Sequence, residues 1–331
     1  MKAPAHWQAG RGGLTAALLT PASWLYRIGT ALNRNFGPTP RQVPVPVICI
    51  GNVTAGGAGK TPVALDIAAR LAGRGLNVHF LSRGYGGRLT GPLRVDPATH
   101  TAADVGDEPL LLAEAFPTWI GADRGETAER AVADGAQALV MDDGFQNFTL
   151  AKTLSLLVLD GGFGVGNGKL IPAGPLREPL DAALARADAV VRIGADATGI
   201  DARIGGRKPL LAARLRPGPE AAGLKDRRYL AFTGIGRPEK FFDTVEATGI
   251  EIAGTAAFAD HHPFTDPEIA ELRKRAADLG AGLITTAKDR VRLAPAMRDG
   301  IDVLTVHLEW EDQGALETLL SSISHGTPNA G

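Results

Sequence analysis

The residues with the clearest chemical purpose form one string, Gly51-Asn52-Val53-Thr54-Ala55-Gly56-Gly57-Ala58-Gly59-Lys60-Thr61-Pro62. Glycines at 56, 57 and 59 let backbone N–H groups converge on phosphate oxygens, and the N-terminus of a following helix adds positive potential. Lys60 would reach the outer phosphates, and Thr61 offers a hydroxyl to Mg2+. The cradle therefore runs from Thr54 through Ala55, Gly56, Gly57, Ala58 and Gly59 to Lys60 and Thr61. One position departs from the G-x4-GK[ST] pattern, because Thr54 stands where the first glycine belongs. A phosphate loop also needs an acid at the end of a neighbouring strand to hold the metal, and Ala138-Leu139-Val140-Met141-Asp142-Asp143 supplies two. An ordinary Asp-Gly turn would explain Asp143-Gly144 but not the doubling.

Three smaller clusters are less specific. Gly106-Asp107-Glu108-Pro109 is, taken alone, a helix N-terminus; in a phosphate-loop protein it is also a place for a base or a metal ligand. Asp260-His261-His262 lies in a loop, where adjacent histidines point to opposite sides of an extended chain, so at most one is expected to act. Histidines in solvent are the plainer reading of that pair alone, and no third His or Cys stands at ligand spacing for a metal site. Lys288-Asp289 follows a strand-like run. Guanine recognition is not indicated: the nearest string to Asn/Thr-Lys-x-Asp is Thr286-Ala287-Lys288-Asp289, and Asp142-Asp143-Gly144-Phe145 lacks the Asp-x-x-Gly switch.

The elements that must position these residues can be read from periodicity. Val47–Ile50 is a short apolar run of the kind buried in a parallel sheet, and Val63, Ile67 and Leu71 share one face of a helix beyond the loop. Pro62 is tolerated in a first helical turn, whose N–H groups lack intrahelical acceptors. Strand-like runs recur at 78–81, 118–121, 139–141, 154–159 and 189–193, alternating with helical patterns at 63–72, 110–116, 126–133 and 180–185. This predicts an α/β fold, a P-loop NTPase parallel sheet with helices on both faces. The Gly/Pro/Arg-rich span Gly199–Arg228 is the expected linker. A second, smaller α/β unit follows, with strands at 229–233, 250–257, 283–286 and 301–306 and helices at 239–248, 267–279 and 315–323. The expected division is an N-terminal arm at 1–40, a P-loop domain at 41–222 and the smaller domain at 223–331.

Composition sets outer limits. At ~100–200 residues per domain, 331 residues make two domains, and 44% hydrophobic content excludes wholesale disorder. A single cysteine, Cys49, excludes a disulfide scaffold and any Cys-based zinc or iron–sulfur centre. A formal net charge of −1 argues against a nucleic-acid partner. That near-neutrality conceals an asymmetry: before Asp66 the chain carries Lys2, Arg11, Arg27, Arg34, Arg41 and Lys60 and no acid at all. The charge-free run Gly12–Tyr26 is 15 residues, short of the ~20 that span a bilayer. Thr20-Pro21 reads as an N-cap and first helical position, predicting a helix that starts there. Leu25, Ile28 and Leu32, with Trp24 beside them, then oppose Ser23, Arg27, Thr30 and Arg34, the pattern of an amphipathic helix at a membrane interface. A helix packed on its own domain and a cleaved signal peptide are the other readings, the last the weakest because phosphate-loop chemistry needs cytosolic nucleotide.

The phosphate-loop string resembles that of the tetraacyldisaccharide 4'-kinase family, which also has Thr54's residue type at that position. The resemblance extends through Leu81-Ser82-Arg83-Gly84-Tyr85-Gly86, Gly106–Pro109, Asp142-Asp143-Gly144-Phe145-Gln146 and Pro172-Ala173-Gly174-Pro175-Leu176-Arg177-Glu178. It continues in Phe232-Thr233-Gly234-Ile235, Phe258 with Asp260-His261-His262, and Lys288-Asp289. It implies transfer of the ATP γ-phosphate to the 4'-hydroxyl of a lipid disaccharide 1-phosphate, giving lipid IVA at the cytoplasmic face of the inner membrane. Residue by residue, it implies Asp107 as base, paired with His261 from a smaller domain that closes over the site, and Glu108, Asp142 and Asp143 beside Thr61 near Mg2+. Lys60 and Arg177 would neutralise phosphoryl charge, with Asn52 and Gln146 near nucleotide or substrate. His261 is preferred to His262 because the family pattern is Asp-His followed by a variable residue. The implied partners are a membrane-embedded lipid disaccharide and an anionic membrane surface, met by a peripheral or monotopic protein, with no nucleic acid and no obligate protein partner. Two alternatives stay open: a P-loop kinase or ligase of the dethiobiotin synthetase type acting on a soluble acceptor, and a nucleotide-switched membrane adaptor.

Overall fold

The computed structural model describes residues 4–10, 12–35 and 38–324. A helix α1 (Gly13–Asn35) precedes β1 (Val47–Gly51), α2 (Lys60–Gly73), β2 (Val78–Ser82), β3 (Leu93–Arg94), α3 (Ala102–Val105) and α4 (Asp107–Ala113). There follow β4 (Thr118–Ile120), α5 (Arg124–Ala133), β5 (Ala138–Asp142), β6 (Leu154–Asp160), α6 (Leu180–Arg186), β7 (Ala189–Ile193), α7 (Ile200–Ile204) and β8 (Leu210–Pro217). The second unit holds β9 (Arg228–Thr233), α8 (Pro238–Ala247), β10 (Glu251–Ala257), α9 (Asp266–Asp278), β11 (Gly282–Thr286), α10 (Ala287–Arg290) and β12 (Ile301–Leu304). The chain ends its described course in β13 (Val306–Trp310) and α11 (Gln313–Ser324).

The large sheet has the order β13-β8-β7-β6-β1-β5-β2-β4-β3, parallel throughout except for the antiparallel pairs at its two edges. Its central strands are apolar on both faces. Ile48 and Ile50 join Val63, Ile67 and Leu71 of α2 in one core, while Cys49 joins Leu180 and Leu184 of α6 in another. Two-sided burial is what a helix layer on each face requires. β1, β5 and β6 run parallel and adjacent, so they present their C-terminal ends together, where doubly wound sheets bind ligands. The smaller sheet, β10-β9-β11-β12, is wholly parallel.

Three expectations are corrected. α1 begins at Gly13, not at Pro21: the Ala- and Leu-rich residues ahead of the proline are good helix formers and carry the helix upstream. Pro21 is accommodated inside the helix on its exposed side, and Thr20 is no cap, since its hydroxyl donates back to the Ala16 carbonyl (2.7 Å). Lys2, Arg11 and the side chains of Leu32 and Arg34 lie outside the described residues.

The span 199–228 is not a bare linker, for it contains α7 and β8. Leu211 and Ala213 of β8 are buried, while Arg214 and Arg216 pair with Glu311 and Glu309 across the edge. The arginines conceal an amphipathic strand one place in from the sheet edge.

The boundary at 222/223 is crossed again near the C-terminus. β13 pairs with β8, not with the small sheet, in register Leu308↔Leu215. Leu308, Trp310, Leu316, Leu320 and Ile323 complete the core over α2. Trp310 Nε1 donates to Asp66 (2.8 Å), and Arg70 pairs with Glu317 (2.7 Å). The smaller unit is therefore an insertion between β8 and β13.

Candidate active site

The phosphate loop leaves β1 at Gly51, where any Cβ would collide with Phe145. Gly56 (φ 116°) and Gly59 (φ 85°) occupy the left-handed region that glycine adopts without strain. Thr54 does not: it makes an antiparallel bridge with Leu176, so the position needs ordinary extended backbone and accepts a β-branched residue. Ala55 N donates to Pro175 O (2.8 Å) and Arg177 N to Val53 O (2.7 Å), tying the front of the loop to the 175–177 segment. Asn52, fully buried, spans the loop from inside, donating to Thr54 Oγ1 (3.4 Å) and Gly56 O (3.3 Å) and accepting from Lys60 Nζ (3.5 Å).

Behind the loop stand the two acids. Thr61 Oγ1 donates to Asp142 Oδ2 (3.1 Å), while Asp142 Oδ1 is buried without a partner among the described residues. Burial, then the neighbouring charge of Glu108, pushes the Asp142 carboxyl up to about 7. Asp143 sits at φ 55°, uncommon for a residue with a side chain. Burial raises its pKa, but Lys60 (3.6 Å) and Arg177 (3.0 Å to each oxygen) outweigh that and hold it below its ordinary value. Gln146 is held in the same frame: its Nε2 donates to Asn52 O (2.8 Å) and Glu178 Oε1 (3.0 Å), and Arg186 grips both oxygens of Glu178. Lys60, Thr61, Asp142, Asp143, Arg177, Asn52 and Gln146 are thus one connected group.

Beyond Glu108, the charge neighbour of Asp142, α4 begins at Asp107, and side chains of the second unit pack on it. Asp107 Oδ2 meets His261 Nδ1 (2.9 Å), Arg292 Nε (2.8 Å) and Arg292 Nη2. Among the described residues, its Oδ1 accepts only from the Glu108 backbone N–H (2.9 Å). Asp107 is 6% exposed, so burial raises its pKa; His261, Lys288 and Arg292 more than reverse this and hold it far below the carboxylate range. Lys288 Nζ donates to Glu108 (2.9 Å), which places Glu108 between the acid pair and the second unit. His261 itself is at φ 59° and donates its backbone N–H to Gly234 O (3.0 Å). His262 faces away: it bonds Glu268 (2.9 Å), stacks on Phe258 and meets Phe264 edge-on.

Two groups here escape a sequence reading. Arg292, 3% exposed, is the main cation on Asp107, and Asp289 seats it (2.9 Å) while accepting from Thr233, Thr286 and Gly234 N. Its only advance signal is its place four residues after Lys288. On the other side of the phosphate loop, Asp160 binds Arg237 and Lys240 of the second unit. Nothing marks Asp160 in sequence beyond its position at the end of a strand.

Among the described residues no three His, Cys, Asp or Glu side chains converge as a preformed metal cluster. Mg2+ in phosphate-loop proteins takes few protein ligands, completing its shell with water and phosphate oxygens. The unpartnered Oδ1 of Asp142 beside Thr61 fits that pattern.

A backbone phosphate cradle, an acid pair on the adjacent strand and a carboxylate–histidine pair across the cleft define a P-loop phosphotransferase. Residues 15–324 match the family described as Tetraacyldisaccharide-1-P 4'-kinase. The chain belongs to the tetraacyldisaccharide 4'-kinase family, and it is a kinase of lipid A biosynthesis. It is 54% identical to the tetraacyldisaccharide 4'-kinase of Rhodospirillum centenum over 335 residues, covering 100% of this chain and 99% of that one. The corresponding protein of Gluconacetobacter diazotrophicus is 52% identical over 320 residues, with 97% of each chain covered. A solved structure, the "apo" form of LpxK from Aquifex aeolicus in complex with ATP, superposes with a TM-score of 0.75 at 27% identity, over 94% of this chain and 99% of that one.

Proposed function

We propose that this chain transfers the γ-phosphoryl group of ATP to the 4'-hydroxyl of a tetraacyldisaccharide 1-phosphate, forming lipid IVA, with Asp107 as the base. The observation that carries this reading is Asp107 itself, held by side chains of the second unit opposite a phosphate loop. His261 and Arg292 occupy Oδ2, which leaves a lone pair on Oδ1 to take the acceptor's proton as its oxygen attacks phosphorus and ADP departs. Phosphoryl transfer passes through a loose transition state in which the proton leaves late, so a carboxylate of low pKa serves by orientation more than by basicity. Lys60 and Arg177, already paired with Asp143, turn toward the charge that develops on the transferring group. Thr61 and Asp142, with Asp143 and Glu108 nearby, would hold Mg2+, which neutralises phosphate charge. Asn52 and Gln146 serve by keeping the loop in shape.

The acceptor's acyl chains call for a bilayer, and α1 supports docking there. It packs through Ala16 and Ser23, the latter donating to Leu170 O (2.8 Å), and turns Leu14, Leu18, Trp24, Leu25 and Ile28 outward, Leu14 being 75% exposed. Among the described residues no helix is long and apolar enough to cross a membrane. A groove of about 440 Å3 beside α1 has Leu170, Leu176 and Leu180 in its wall and Arg27, Lys169 and Arg207 at its rim, a lining suited to an anionic acylated sugar at the cytoplasmic leaflet. Incubation with labelled ATP and Mg2+ tests the assignment, offering a tetraacyl disaccharide phosphate in vesicles against a water-soluble sugar. Label on the lipid alone is expected; label on neither, or only on the soluble sugar, defeats it.

A further inference from the structure

The second unit reaches the nucleotide side of the cleft at a place the proposed chemistry does not use. Asp160 ends β6, which lies beside β1, and its side chain is 8% exposed. Its Oδ1 accepts from Gly162 N (2.9 Å); its Oδ2 takes Lys240 Nζ (2.6 Å) and Arg237 Nη2. The same Arg237 nitrogen donates to the carbonyl of Gly57 in the phosphate loop (2.6 Å), and the guanidinium lies over the Phe163 ring at 5.8 Å. Two cations on one carboxylate leave a positive charge in surplus beside a loop built for anions. The described bonds engage only Nη2 of Arg237, whose side chain is 37% exposed, so donors on the planar fork remain for a ligand.

The backbone ties this contact to the base. Arg237 is three residues from Gly234, whose carbonyl accepts from Arg292 Nη1 (2.7 Å) and from the His261 backbone N–H (3.0 Å). A Cβ on Gly236 would meet Asp260, the neighbour of His261, at 3.1 Å. A four-residue loop thus has one end on the phosphate loop and the other under both partners of Asp107.

We propose that Arg237 is a nucleotide-positioning residue: Asp160 holds its guanidinium over the phosphate loop, where its remaining N–H groups bond the phosphate chain of a bound nucleoside triphosphate. Through the Gly234–Arg237 loop, that bond fixes His261 and Arg292 on Asp107 when nucleotide is present. The assignment rests on the phosphate loop's reading as a nucleotide site.

The full chain and its Arg237→Ala, Arg237→Lys and Asp160→Asn variants would be titrated calorimetrically with a non-hydrolysable ATP analogue and Mg2+. A charge-assisted bond to phosphate predicts roughly 10- to 100-fold weaker binding for Arg237→Ala. Arg237→Lys should recover part of the loss, and Asp160→Asn should fall between wild type and Arg237→Ala. In turnover, the KM for ATP should rise while the KM for the lipid acceptor holds. A clasp that only fastened the two units would instead lower Tm and shift both KM values together, which overturns the proposal, as does a folded Arg237→Ala protein with unchanged nucleotide affinity. Failure of the wild-type chain to bind the analogue would reject the nucleotide site itself.

Discussion

The two walls of the cleft are made by opposite means. On the phosphate side the proposed cradle is the backbone amides and Lys60 of one short loop, held by its strand, its helix and the buried Asn52. On the acceptor side the groups are charged side chains brought together across 154 residues of sequence for Asp107–His261 and 185 for Asp107–Arg292. A wall of the first kind exists as soon as its unit folds. The second kind exists only while two units stay in contact, so the proton acceptance proposed for Asp107 would be tied to their closure, and stray hydrolysis of ATP with the units apart would be disfavoured.

Substitutions should separate the walls. The largest effect is expected from Asp107→Asn, which should lower kcat about 10³-fold while nucleotide affinity stays near wild type. Calorimetry alongside turnover checks this, and a loss of nucleotide binding as large as the loss of turnover would place Asp107 on the phosphate wall. Arg292→Gln comes next. Leaving Asp107 buried without its main cation should cost about 3 kcal/mol, read by denaturant unfolding. Asp107 is depressed in the folded chain, so its stabilising contribution is full above the ordinary carboxylate range and is lost as pH falls toward its folded value. Removing Arg292 lifts that value, so the pH at which this stabilisation is lost should move up; an unchanged pH dependence of unfolding would show that Arg292 does not hold the Asp107 carboxylate ionised.

The histidines give a smaller contrast. His261→Ala should cut kcat roughly 10- to 100-fold. His262→Ala should spare turnover and lower Tm by about 4 °C or less, because it gives up ring contacts with Phe258 and Phe264. The reverse pattern would reassign the pair. Smallest of all should be Thr54→Gly, which restores the strict motif. With Thr54 already in extended backbone, turnover should change less than about threefold, at a stability cost of about 0.5–1 kcal/mol. A large gain would show that the threonine constrains the loop.

The same contrast governs what could be read in advance. The phosphate loop, the acid pair and the alternating elements are local patterns, and a strand–loop–helix string carries its own geometry. Arg292, Asp160, Arg237 and Lys240 act through contacts between distant segments, and nothing near them in sequence names their partners. β8 and β13 are obscured for a related reason: at the margin of the sheet they bury few residues, and their exposed arginines and glutamates resemble linker composition. The family resemblance supplied Asp107 and His261, whose pairing neither local pattern implies.

The return of β13 and α11 to the first sheet bears on how the protein is made. Leu308, Trp310, Leu316 and Leu320 seal the core over the helix that starts at Lys60. During synthesis, then, the phosphate-binding segment emerges early, but its supporting core stays open until the ribosome has delivered residues 306–324. The inserted unit is complete before that moment and can fold first, leaving the unfinished sheet edge as the surface for chaperones to guard. A chain interrupted after residue 305 would carry every residue assigned here to catalysis and still lack the packing that makes them an enzyme.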